Sequence, residues 1–257
     1  LMTGACFVLF GVGGLMLSLV WFNLLNLFQR DRARRRRLAR RSIAASFRAF
    51  LTVARALGVL DYRFDNPDVL RHERGCLVVA NHPTLIDYVL IASVMPETDC
   101  LVKSALLRNP FVSGAIRAAD YLINSEADTL LSACQQRLAQ GDTLLIFPEG
   151  TRTQVGKAIK LQRGAANIAV RCNSDLRVVI IHCSEHLLDK KSRWYDVPPH
   201  KPFFTVDVRE RVNAHDFYDA AQQEPALAAR QLNRHLQQRL TSGLQSLAGI
   251  NDASALS

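Results

Sequence analysis

No C-x-x-C pair and no close spacing occurs among the six cysteines (Cys6, Cys76, Cys100, Cys134, Cys172, Cys183). That excludes a zinc ribbon and a small disulfide scaffold, and points to free thiols in a reducing compartment. No internal repeat is evident, which excludes a solenoid. Net charge is also scarce outside one segment. The formal charge is +9, and "RDRARRRRLARR", Arg30 to Arg41, supplies a local +7 from eight arginines and one aspartate, leaving +2 for all other residues. A near-neutral body with one basic collar is not a nucleic-acid-binding face, and no nucleic-acid partner is expected. With 257 residues, 49% of them apolar, the chain can bury the core of one α/β domain and carry accessory segments.

Charge is absent altogether from "ACFVLFGVGGLMLSLVWFNLLNLF", the 24 residues from Ala5 to Phe28. At about 1.5 Å per residue this run covers a hydrocarbon core of roughly 30 Å, and it predicts a transmembrane helix within residues 1–29. Trp21 and Phe22 suit an interface, and the arginines that follow place the remainder on the cytoplasmic side: a single-pass protein of the inner, cytoplasmic membrane. A cleaved signal peptide would carry its positive charge before the run, and here the order is reversed; a buried helix is the other alternative. Residues 30–60 form the collar and then an amphipathic helix, with Ile43, Phe47, Phe50, Leu51, Ala54, Leu57 and Leu60 on one face. That face suits lipid headgroups or the packing of a domain.

From Asp61 the pattern alternates. "CLVVA", "DCLVK", "DTLLIF" and "LRVVIIHC" read as buried strands; a segment from Leu85, "DTLLSACQQRLAQG" and "GAANIAVRC" read as helices. This predicts an α/β fold, a largely parallel or mixed central sheet flanked by helices, over residues 61–216. "FFTVDVRERV" reads as a late strand after a proline-marked loop. Residues 217–257 carry a helix opened by Pro225, with Leu232, Leu236, Leu240, Leu244 and Leu247 on one face, and a frayed tail "NDASALS".

Chemistry-bearing residues follow two of the strands. After "CLVVA" comes "NHPTLID", with His82 and Asp87 five apart; after "DTLLIF" come Pro148, Glu149, Gly150, Thr151 and Arg152. Both connections leave the carboxyl ends of strands, so both open on one rim of a parallel sheet. Imidazole titrates near working pH and suits a general base, and a carboxylate beside it fixes its tautomer. Arg152 offers a planar fork for phosphate, and Gly150 a close backbone approach and amides for an oxyanion. Lys157, Lys160 and Arg163 follow and are candidates for phosphate or donor contact, or a solvated basic face.

The two blocks, NH-x-x-x-x-D at Asn81 to Asp87 and FPEGTR at Phe147 to Arg152, resemble the glycerolipid and lysophospholipid acyltransferases typified by 1-acylglycerol-3-phosphate acyltransferase. The resemblance implies transfer of an acyl group from a thioester, on coenzyme A or acyl carrier protein, to a lysophospholipid hydroxyl in a membrane. His82 and Asp87 are then catalytic, Glu149, Gly150, Thr151 and Arg152 bind the acceptor, and no cofactor or metal is required. No serine or cysteine nucleophile is needed, because the acceptor itself attacks. Two departures stand out: Ser125, in "ADYLINS", occupies the place of a family arginine, and the family's proline-bearing strand block is not recognisable in "LRVVIIHC". Arg117 or Arg108 could supply the missing phosphate contact. A non-glycerophosphate hydroxylated lipid is therefore the alternative acceptor, and a noncatalytic membrane-tethered lipid-binding protein the alternative role. "HCSEH", with His182, Cys183 and His186, is read as incidental rather than a metal site, and Trp194 and Tyr195 as loop packing or the border of an acyl groove.

Overall fold

A computed structural model describes residues 2–124, 127–154, 156–187 and 198–255. Ser125, Trp194 and Tyr195 lie outside them.

The apolar run is helical throughout: α1 (Met2–Met16), a π-helical stretch (Leu17–Trp21) and α2 (Phe22–Phe28). Val8–Phe28 is long and apolar enough to cross a membrane. It does not stand alone. After the turn at 29–31 the chain reverses into α3 (Arg32–Ala56), whose first amides at Ala33 and Arg34 are capped by Asp31, the one acid of the collar. The two arms form an antiparallel hairpin: the Trp21 indole donates to Ser42 Oγ at 2.8 Å, and Phe10 stacks edge-on against Phe50 with centroids 5.0 Å apart. Cys6, Phe22 and Leu25 are buried, while Leu27 and Phe28 on the outer face are 71% and 78% exposed. Collar and amphipathic helix, read from the sequence as successive segments, are thus a single helix.

The strands are β1 (Asp61–Asp65), β2 (Leu77–Ala80), β3 (Asp99–Lys103), β4 (Leu122–Asn124), β5 (Leu144–Ile146), β6 (Leu176–Cys183) and β7 (Phe203–Val212). They form one sheet of order β1-β7-β6-β2-β5-β3-β4. Every pairing is parallel except β6 with β7, so the sheet is mixed, with a parallel centre. Side-chain alternation splits the core in two. Leu77, Val79, Val178 and Ile180 point to one face, under α7 (Ala127–Ala139), α8 (Gly164–Arg171) and α10 (Pro225–Ala255); Val78, Ala80, Val179 and Ile181 point to the other, under α3 and α5 (Asp87–Val94). Leu232, Leu236, Leu240 and Leu247 bury the inner face of α10. That helix runs on to Ala255, so most of the expected tail is its last turn.

Three helices and two strands carried too little pattern to be read: α4 (Pro67–His72), α6 (Pro110–Ala118), α9 (Ala214–Ala220), β1 and β4. Helix α6 packs across the π-helical stretch so closely that a Cβ on Gly114 would lie 2.5 Å from the Ser18 Cβ. The two helices meet there because position 114 has no side chain.

The collar is the main correction. Arg32, Arg36 and Arg40 lie four apart, on one face of α3, and turn toward the domain: Arg32 pairs with Asp120 at 3.4 Å, Arg36 with Asp142 at 3.0 Å and Arg40 with Asp99 at 2.7 Å. Arg41 pairs with Glu97, and Arg137 from α7 bonds Asp120 at 2.8 Å. Half of the collar therefore docks α3 on the domain, and Arg30, Arg34 and Arg37 remain exposed on the outside.

Candidate active site

Strands β2 and β5 are neighbours in register, with Val79 opposite Ile146, and the two blocks leave their carboxyl ends side by side. Asn81 prolongs β2 with its side chain. Its Nδ2 donates to the Ile181 carbonyl at 2.7 Å and its Oδ1 accepts from the Ile181 amide at 2.7 Å, so the carboxamide takes the next rung of the β2–β6 ladder. The direction of the chain is fixed one residue before His82.

His82 and Asp87 meet. Nδ1 of His82 lies 2.8 Å from Asp87 Oδ2, and the imidazole is one-fifth exposed while the carboxylate is fully buried. The helix begins at Asp87, not at Leu85; residues 85 and 86 are the turn that brings Asp87 back toward His82. Thr84 completes the grip, its amide donating to Asp87 Oδ2 at 2.7 Å and its hydroxyl to Oδ1 at 2.6 Å. Burial pushes the Asp87 carboxyl above its ordinary range, against the lowering effect of His82 and Thr84. With Nδ1–H donated to Asp87, Nε2 is the nitrogen free to accept a proton.

The second block folds onto the first. The His82 amide donates to Glu149 Oε1 at 2.7 Å, and the Thr153 amide donates to the His82 carbonyl at 2.9 Å. The Phe147 ring stacks on the imidazole with centroids 4.3 Å apart. Gly150 adopts a left-handed φ of +67°, and a Cβ there would lie 2.6 Å from Gln162 Nε2, so glycine suits the turn on both counts. Its amide donates to the Phe147 carbonyl at 3.1 Å, so that donor is engaged within the turn rather than held out for an oxyanion.

Residues 61–184 match the acyltransferase family. The chain is 30% identical over 122 residues to a 1-acyl-sn-glycerol-3-phosphate acyltransferase of Helicobacter pylori, covering 45% of this chain and 52% of that one. It is 29% identical over 181 residues to a putative 1-acyl-sn-glycerol-3-phosphate acyltransferase, acl-2, of Caenorhabditis elegans, covering 63% and 64% respectively. The chain thus spans between about half and two thirds of the length of these relatives. In fold it is similar to the crystal structure of the 1-acyl-sn-glycerophosphate acyltransferase PlsC from Thermotoga maritima, with a TM-score of 0.72, 21% identity and coverage of 95% and 97% of the two chains.

The other expected residues are more scattered. Glu149 is buried beside His82, Arg152 is half-buried and Thr151 exposed in the same turn. Lys157 and Lys160 are exposed in the loop that follows, Arg163 is exposed at the start of α8, and Arg117 is exposed in the last turn of α6. No ion pair within the described residues holds any of these four. Among the described residues no three His, Cys, Asp or Glu side chains gather as metal ligands. Sequence reasoning missed Thr84, Phe147 and the structural part played by Asn81. Only Thr84 left a signal, a hydroxyl three residues before an acid that opens a helix.

Proposed function

We propose that this protein transfers a fatty acyl group from a thioester, carried by coenzyme A or acyl carrier protein, to a hydroxyl of a lysophospholipid such as 1-acylglycerol-3-phosphate, with His82 as general base. The observation that carries the reading is the Asp87–His82 pair at 2.8 Å, standing beside the FPEGTR turn on one rim of the sheet. Nε2 takes the acceptor's proton as its oxygen attacks the thioester carbonyl. Asp87 holds the tautomer and stabilises the imidazolium, and collapse of the tetrahedral intermediate returns the proton to the departing thiolate. The half-buried Arg152 provides the charge for an acceptor phosphate. The names of the relatives support the acceptor class, and none of these steps calls for a metal or prosthetic group.

The site of action in this reading is the cytoplasmic side of the inner membrane, where the outward apolar face of α1 and α2 meets lipid. Helix α3 lies back along that segment and carries Arg41, Arg48 and Arg55, so a hairpin seated in the headgroup layer fits better than the single span expected from the sequence. The test is acyl transfer by the protein in lipid vesicles, with both thioester donors and a panel of lysophospholipid and neutral hydroxylated lipid acceptors, read by mass spectrometry. An acylated lysophospholipid is the expected product. Free fatty acid alone would make the protein a hydrolase, and binding without turnover would make it a lipid-binding protein.

A further inference from the structure

The resemblance between the two blocks and those of known acyltransferases assigns Glu149 to the acceptor, but its side chain is placed for something else. Glu149 is only 4% exposed. Oε1 is occupied by the His82 amide at 2.7 Å, and Oε2 is buried with no hydrogen-bond partner among the described residues. The backbone of His82 is thereby held from both sides by one turn, its N–H by the Glu149 carboxyl and its C=O by the Thr153 amide. The turn itself is braced by the Gly150 amide on Phe147 and by the Gln162 amide on the Pro148 carbonyl at 2.8 Å.

We propose that Glu149 is a positioning residue for His82 that works as a neutral carboxylic acid, rather than a charged contact to the acceptor. The inference rests on the reading of His82 as general base. An ionised carboxylate with one oxygen sealed from water and unbonded is costly, and a proton on that oxygen removes most of the cost while Oε1 continues to accept from His82. The groups that act on Glu149 are few. Burial pushes its carboxyl up, and the negative charge of Asp87 pushes the same way; the Thr153 side chain, the His82 amide and the His82 ring pull it down. A neutral Glu149 leaves Asp87 as the one anion paired with the imidazole, which keeps the base orientated by a single partner.

Glutamine reproduces the neutral acid in shape and keeps the acceptor oxygen, so Glu149→Gln and Glu149→Ala separate the possibilities. The expected result is a fall in kcat of about tenfold to a hundredfold for Glu149→Ala with acceptor KM nearly unchanged, and a kcat for Glu149→Gln several-fold above that of Glu149→Ala. Infrared difference spectra of wild type against Glu149→Gln at neutral pH should show the carbonyl band of a protonated acid. A Gln variant as impaired as the Ala variant, a rise in acceptor KM at constant kcat, or a carboxylate band in place of the acid band would each overturn the proposal. If the Ala variant fails to fold, the Gln variant and the spectrum decide. The spectrum needs no turnover, so a wild-type protein that transfers no acyl group would count against the proposed function alone.

Discussion

Two aspartates with no exposed surface, Asp87 and Asp99, sit at opposite ends of the same sheet. Asp87 follows the carboxyl end of β2 and is held by one imidazole and by the amide and hydroxyl of Thr84. Asp99 opens β3 at the amino end and faces permanent cations, Arg40 at 2.7 Å and Arg137 at 3.6 Å. Burial raises Asp99 to about 6 in spite of Arg40. The partners make the difference. A carboxylate between a titratable ring and a hydroxyl can direct a proton, whereas one locked to guanidinium groups can only hold elements together. One rim of the sheet carries the candidate active site, and the other docks the hairpin that carries the apolar segment.

The largest effect that would sharpen this contrast is at the first rim. Asp87→Asn keeps the shape and offers His82 the wrong partner, so acyl transfer should fall by about two to four orders of magnitude with the unfolding midpoint little changed. At the second rim the order reverses. Arg40→Ala removes the nearer cation from the buried Asp99, leaving it Arg137 alone at 3.6 Å, and should lower stability by about 3–5 kcal/mol in denaturant unfolding, while the molecules that remain folded keep their specific activity. Activity lost in proportion to bound acceptor, with stability intact, would break the division. Thr84→Val removes one hydroxyl from Asp87 and should cost about 1–2 kcal/mol in kcat/KM, with Thr84→Ser restoring most of it. The smallest effect belongs to the outer face of α3: Arg34→Ala, which faces solvent, should change stability by less than about 0.5 kcal/mol. An Arg34 variant as unstable as the Arg40 variant would mean that the two faces of the collar are not distinct.

The sequence displayed the chemical rim far better than the docking rim, and the reason is separation along the chain. His82 and Asp87 are five residues apart, and "DCLVK" and "FFTVDVRERV" coincide with β3 and β7 because apolar runs and alternation are local properties. The acids that neutralise Arg32, Arg36 and Arg40 come from positions 99, 120 and 142, so an isolated arginine run gives no sign of them. Strand β1, "DYRFD", alternates charge with aromatic residues and pairs only with β7, and β4 is three residues long; neither carries a buried-strand pattern. The bond from the His82 amide to Glu149 joins residues 67 apart through a main-chain atom, which no residue pattern encodes.

The most direct test of the central claim compares initial rates of acyl transfer to a lysophospholipid by wild type, His82→Ala and Arg40→Ala in identical vesicles, each corrected for folded protein. A loss of at least about a hundredfold confined to His82→Ala is the predicted result. A His82→Ala rate equal to wild type on a product that wild type demonstrably forms would contradict it.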